Sequence, residues 1–134
     1  MMTDTTRFNE AVLGKQIVRV EGPDTARLRM FPQHVHTNAA GKIHGGIILA
    51  LADVSLFTAI YVLRGVDAGK SVTVDLSTQF VGGGDPSRPL DSVVELLRET
   101  RRLGFLRGLI VQDDDVVASF AGTIRKPSSG GSAQ

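Results

Sequence analysis

No cysteine occurs in this 134-residue chain. Disulfides, thiolate zinc sites and a cysteine nucleophile are therefore excluded, and the redox compartment is left undetermined. Aromatic residues make up only 5% of the total, too few for the stacking platforms that single-stranded nucleic acids require. A block of basic charge is missing as well. The 15 Lys and Arg and 14 Asp and Glu are spread along the sequence for a net charge of +1, so no nucleic-acid partner is expected. The opening Met1-Met2-Thr3-Asp4 lacks the basic and apolar regions of a signal peptide, which makes cytoplasm the expected location.

What is present supports a core. Hydrophobic residues account for 42%, enough for one compact domain over residues 1–126. The Ser/Gly-rich 127–134 reads as a disordered tail. From Ile43 to Leu63 there is no Lys or Arg, and Asp53 is the single carboxylate. On a helix its neighbours at i±3 and i±4 are Leu49, Ala50, Leu56 and Phe57, so its own helix offers no countercharge. Burying an unpaired carboxylate costs several kcal/mol, which marks Asp53 as a functional candidate. The apolar run from Ile47 to Leu63 sits at the lower length limit for crossing a bilayer and carries a mid-segment charge. We read it as a core helix of about 18 residues, roughly 27 Å long, with no membrane involvement.

The rest is strand-rich. Phe8–Leu13 reads as a short helix ended by Gly14 and anchored by Val12 and Leu13. Gln16–Glu21 and Thr25–Phe31 read as strands joined at Gly22-Pro23-Asp24, with Ala26, Leu28 and Met30 on the core face. Pro32–Gly46 reads as loop. Downstream, Val72, Val74, Leu76 and Phe80 alternate with Thr73, Asp75, Ser77 and Gln79 before Gly82-Gly83-Gly84-Asp85-Pro86 ends the strand. Ser92–Arg101, Phe105–Gln112 and Val116–Arg125 complete a meander, the last with Val116, Ala118, Phe120 and Ile124 on one face. One helix apolar on every side, among antiparallel strands, implies an α+β architecture in which a curved sheet wraps the helix. The exposed edges of such a sheet favour pairing with a second copy, hence a homodimer.

Asn38-x-x-Gly41-x-x-His44-Gly45-Gly46, followed by Leu51-Ala52-Asp53 and then Thr73-Val74-Asp75, resembles the hotdog-fold acyl-CoA thioesterases, in particular the phenylacetate-pathway (PaaI-like) group. The similarity covers about residues 8–126. It implies a hotdog fold, an acyl-CoA substrate, no cofactor or metal, protomers sharing one continuous sheet, dimers that pair into tetramers, and active sites at the dimer interface.

The residues suit that chemistry. Gly45 opens the helix, where N–H groups lack intrahelical acceptors and the dipole is positive, so its N–H can stabilise an oxyanion. Asp53 is the general base or the nucleophile. It lies roughly 12 Å along the axis from Gly45, too far for both to act on one carbonyl within a protomer. The site is therefore composite, with Gly45 from one chain and Asp53 from the other. By resemblance Asn38 holds the attacking water or orients the carboxylate, and Thr73 assists the carboxylate. Asn38 is equally a turn residue ahead of Gly41, and Thr73 an ordinary strand residue. His44 could hydrogen-bond the thioester or brace the loop near the oxyanion site; it is equally a helix-cap histidine, and a support role is preferred to proton transfer. Arg98, Arg101, Arg102 and Arg107 cluster around the Thr100–Gly104 turn, and Arg101 and Arg102 are candidates for the CoA phosphates. His34 and His36 lack the companions a metal site needs and are expected in solvent. Rival readings are a hotdog hydratase or dehydratase, and a non-catalytic acyl-CoA-binding or sensing module that would not need Asp53.

Overall fold

The computed structural model describes residues 7–128. The opening Met1–Asp4 and most of the expected tail, residues 129–134, lie outside the described residues. Helix α1 (Phe8–Ala11) leads into strands β1 (Gln16–Val20) and β2 (Thr25–Met30), and the long helix α2 (Gly45–Arg64) follows. Strands β3 (Val72–Phe80), β4 (Leu90–Glu99), β5 (Leu103–Gln112) and β6 (Asp115–Arg125) complete the fold. Every pairing is antiparallel, and the six strands form one sheet in the order β1-β2-β4-β5-β6-β3. β3 crosses to the far edge because the meander β4-β5-β6 occupies the centre. With one long helix packed on one curved antiparallel sheet, this is the hotdog fold.

Alternation in β2 has the expected outcome: Ala26, Leu28 and Met30 are buried against α2. From the helix, Ile48, Leu51, Leu56 and Ile60 enter the same core. By length and composition α2 could cross a bilayer; here its apolar side is taken up by the sheet. Leu13 is buried as anticipated, whereas the Val12 side chain stays exposed, because the helix of α1 ends at Ala11 and turns only Leu13 inward.

Three bulges interrupt the strands, and two of them alter expected faces. Thr73 pairs with Ile124 and Asp75 with Thr123, leaving Val74 as the extra residue in β3. Thr73 thus shares the helix-facing side with Leu76, Thr78 and Phe80, while Val72 turns outward opposite Arg125. The expected grouping of Val72 and Val74 with Leu76 is corrected accordingly. In β6 the extra residue is Val117, between Val116 and Ala118. Val116 therefore faces away from Ala118, Phe120 and Ile124, and is partly exposed. A third irregularity, at Leu97 in β4, leaves that leucine in solvent. An extra residue breaks strict period-2 alternation, so no pattern reading carries across it.

The sheet does not surround α2. Gly46, Leu49 and Tyr61 are exposed, and Ala50, Asp53 and Phe57 are half-buried. Their spacing of three to four residues draws one open stripe down the helix. The apolar residues of the edge strand, Val72, Val74 and Phe80, are also exposed.

Asp91 is a buried carboxylate, 4% exposed, on the outer sheet face. Arg29 Nε and Arg27 Nη1 each donate to it at 2.7 Å. Burial alone would raise its pKa, but the bonds from Arg29 and Arg27 prevail and hold the carboxyl below its ordinary value. A depressed folded pKa contributes stability above the unfolded pKa of about 3.9, and that stability is lost as pH falls through the folded value. Asp91→Asn should therefore cost about 1–3 kcal/mol at pH 7, less than a fully buried pair because both arginines keep contact with water. In urea titrations the deficit should shrink below about pH 4; a pH-independent deficit would refute the ion-pair account.

Candidate active site

The lead-in to α2 is tied down before the helix begins. Gly41 sits at φ +78°. Asn38 Oδ1 accepts from the N–H groups of Ala40 at 3.0 Å and Lys42 at 3.1 Å, and its own N–H donates to the Lys42 carbonyl at 2.8 Å. Asn38 is thus an Asx-type brace of the loop. No hydrogen bond joins it to Asp53 among the described residues. The turn at His34–His36 is a single 3-10 turn within the segment expected to be loop. His34 is exposed as expected, but His36 is buried. Its Nδ1 accepts from Gln33 N–H at 2.9 Å and its Nε2 lies 2.6 Å from the Val12 carbonyl. Contacts from α1's far end, distant in sequence, are what pull this ring out of solvent. The His36 carbonyl in turn accepts from His44 N–H at 2.8 Å.

His44 caps the helix. Its Nδ1 accepts from Gly46 N–H at 2.8 Å, and its carbonyl takes the N–H groups of Ile47 at 2.9 Å and Ile48 at 3.2 Å. The first-turn donors are thereby used up except one: among the described residues, no acceptor meets the Gly45 N–H. The two glycines differ in what they do. A Cβ at Gly46 would lie 2.9 Å from His44 Nδ1, so the cap itself demands glycine there. A Cβ at Gly45 would meet only the Phe80 ring, at 3.5 Å, an ordinary contact. Packing does not require glycine at position 45.

Asp53 projects from the open stripe of α2, half-buried rather than enclosed. It is not unpartnered, since Thr73 Oγ1 donates to its Oδ1 at 2.8 Å. The bulge at Val74 is what makes this possible, because regular alternation would turn Thr73 to the opposite face. No ion pair reaches Asp53 among the described residues. The contrast with Asp91 is informative: a carboxylate with a structural task has two arginines, and Asp53 has one hydroxyl.

Within one protomer Asp53 and Gly45 remain separated. They stand eight residues apart on the same helix, roughly 12 Å along its axis. Arg101 and Arg102 are exposed at the β4–β5 turn. That turn adjoins the C-terminal end of α2, where Arg64 approaches Glu99 at 3.7 Å, roughly 29 Å along the helix from Gly45. Arg107 stands apart from them and pairs with Glu95 at 3.1 Å. One neighbour of the site escaped the sequence reading. The alternation of β3 groups Phe80 with the core residues; it does lie on the helix-facing side, yet 53% of it is exposed, with its ring beside Gly45. Its position at the last residue of an edge strand, just before three glycines, is the signal that could have shown this.

Residues 33–125 match the family described as acyl-CoA thioesterase N-terminal domain, and the chain belongs to that family. It is a hotdog-fold thioester hydrolase. Among solved structures, the PaaI protein of the E. coli phenylacetic acid degradation operon superposes with a TM-score of 0.76 at 20% identity, covering 89% of this chain and 83% of that one. The TT0310 protein from Thermus thermophilus gives 0.75 at 24% identity over 92% and 98% of the two chains. A hypothetical thioesterase from Streptococcus pneumoniae, solved with coenzyme A, gives 0.73 at 17% identity over 84% and 88%. No curated protein matches this sequence significantly.

The two glycines make a direct test of this geometry. Gly46→Ala should lower the melting temperature by several degrees through loss of a cap bond worth about 1 kcal/mol. Gly45→Ala should leave it within about 2 °C of the parent. Equal losses in the two variants would show that position 45 is constrained by packing after all.

Proposed function

We propose that this chain hydrolyses acyl-CoA thioesters in a homodimer, at a site made of Asp53 from one protomer and Gly45 of the partner subunit. The observation that carries the reading is Asp53 itself, a carboxylate without a cation on the open stripe of an apolar helix, aimed by Thr73. The free N–H of Gly45 supplies the complementary part. Their separation along one helix requires two helices running in opposite directions to bring one of each together. The open stripe of α2 and the apolar edge of β3 are the surfaces such a dimer would cover, and dimers pairing into tetramers would extend the same assembly.

In the general-base route, Asp53 takes a proton from water as the water oxygen bonds to the acyl carbon. The negative charge that develops on the carbonyl oxygen meets the Gly45 N–H, a donor worth about 3–4 kcal/mol of barrier. Collapse of the tetrahedral species breaks the C–S bond, and the proton held by Asp53 passes to the departing thiolate. In the nucleophilic route the carboxylate itself forms the new C–O bond, expelling the thiolate, and water then hydrolyses the anhydride. Thr73 keeps the carboxylate in one orientation along either route, Asn38 holds the lead-in loop and the water it borders, and His44 consumes the competing first-turn donors.

Thiol release from a panel of acyl-CoA esters tests this. Asp53→Asn preserves shape and should lower kcat by about 10²–10⁴ with an unaltered circular dichroism spectrum. Undiminished turnover in that variant would end the mechanism while leaving the fold intact.

A further inference from the structure

A buried amide outside the site holds the segment that borders Gly45. Gln112, the last residue of β5, is 1% exposed, and its side chain bonds to the backbone of one loop. Its Oε1 accepts from Asp85 N–H at 2.8 Å. Its Nε2 donates to the carbonyls of Asp85 at 2.7 Å and Arg88 at 3.1 Å. Both donor positions of the amide are thereby used, and an apolar side chain of similar length would strip a partner from three backbone groups. Arg88 fastens the same loop to the β5–β6 turn, with Nη2 3.0 Å from Asp115 Oδ2. At the other end of the segment, the N–H groups of Val81 and Gly82 donate to the Val117 carbonyl at 2.9 and 3.1 Å. Residues 81–88 are therefore held at both ends by the β5–β6 hairpin.

That segment in turn meets the entry of α2. Gly84 accepts from Ile43 N–H at 3.0 Å, two residues before Gly45, and the Phe80 ring that precedes the segment borders Gly45 itself. The Gly84 carbonyl and the Asp85 N–H belong to one planar trans peptide, so they point in opposite directions. Gln112 grips this peptide by its N–H, and Ile43 is bound to its oxygen. Turning the plane about the chain would move both bonds together. Ile43 has little room to absorb such a movement, because a Cβ at Gly84 would already lie 2.9 Å from its Cδ1. Asn38 and His36 fasten the lead-in to itself and to the end of α1; the Gly84–Asp85 peptide fastens it to the sheet.

We propose that Gln112 is a positioning residue for the reaction: through the Gly84–Asp85 peptide it fixes Ile43, and with it the direction of the Gly45 N–H. The assignment rests on the reading of Gly45 as the oxyanion donor.

The test follows turnover and the Gly45 amide in Gln112→Met, which keeps the length of the side chain and removes its bonds. Leu96→Ala, a core change near the β4–β5 turn at the far end of α2, is the comparison. Below the melting temperatures of both, Gln112→Met should lower kcat for an acyl-CoA ester roughly tenfold, part of the 10²–10³ that outright loss of such a donor costs, with KM within about twofold. The Gly45 amide resonance of isotope-labelled protein should shift or broaden in the same variant. Leu96→Ala should lower the melting temperature yet keep kcat within about twofold and the Gly45 resonance in place. Should Gln112→Met not fold, Gln112→Glu, which keeps an acceptor for Asp85 N–H and loses both donors at neutral pH, reads the same quantities with the same expected direction. An unchanged kcat and resonance in the Gln112 variant, or equal kcat losses in the Gln112 and Leu96 variants, would reduce Gln112 to a structural residue and overturn the proposal. A wild-type protein that cleaves no acyl-CoA ester would instead overturn the active-site reading, and the Gly45 resonance would then decide the positioning by itself.

Discussion

A helix apolar on nearly every side has to be covered, and in this fold one sheet covers only part of it. The six strands take Ile48, Leu51, Leu56 and Ile60 into the core and stop short of the stripe that runs through Leu49, Asp53 and Tyr61. Leaving that much apolar surface in water is unfavourable by roughly 25 cal/mol per Å². The edge strand β3 has the same deficit in Val72, Val74 and Phe80, together with an unpaired row of backbone groups. Both exposed surfaces border the candidate site. The pressure to associate and the position of Asp53 are thus two expressions of one incomplete wrapping.

Charge is distributed to match. Where a carboxylate serves the architecture, as Asp91 does, two arginines from the neighbouring strand neutralise it and its protonation is suppressed. Asp53 has no such arrangement. A guanidinium there would tie the carboxylate in an ion pair and blunt its ability to accept a proton. A threonine hydroxyl orients without neutralising. Bringing that hydroxyl round required an extra residue at Val74, a local cost in ladder hydrogen bonding of the kind that bulges beside active sites exhibit.

Much of this was legible in the sequence, and the parts that were not share a cause. The buried strand β2, the core helix and the succession of strands followed from local periodicity, because each residue's face depends on its neighbours alone. The faces of Val72, Val74 and Val116 did not, since one inserted residue at each bulge reverses parity and nothing in the composition announces it. His36 looked like a solvent histidine because its partners, the Val12 carbonyl and the Gln33 N–H, are backbone groups that any sequence would supply. The arginines around Thr100–Gly104 formed a cluster in the chain, yet the fold separates Arg107 from the others and sets the turn at the far end of α2. At the helix entry, the motif marked the loop but not the difference between Gly45 and Gly46. Only a side-chain position, that of His44 Nδ1, distinguishes a glycine demanded by the protein from one left open.

In the mechanism proposed above, that division bears on how an oxyanion donor can be ready before substrate arrives. A helix terminus presents several N–H groups with partial charge, and water would ordinarily solvate all of them. Here His44 takes three with one ring nitrogen and one carbonyl, and the lead-in is clamped by Asn38, by the His36 carbonyl and by Gly84. The remaining N–H is held by these independent anchors, so little reorganisation is needed as charge develops. Loosening any anchor would leave the motif intact in sequence and spread the donor over many orientations. The residues around Gly45 are therefore explained less by contact with a reacting group than by the stiffness they impose on a single backbone amide.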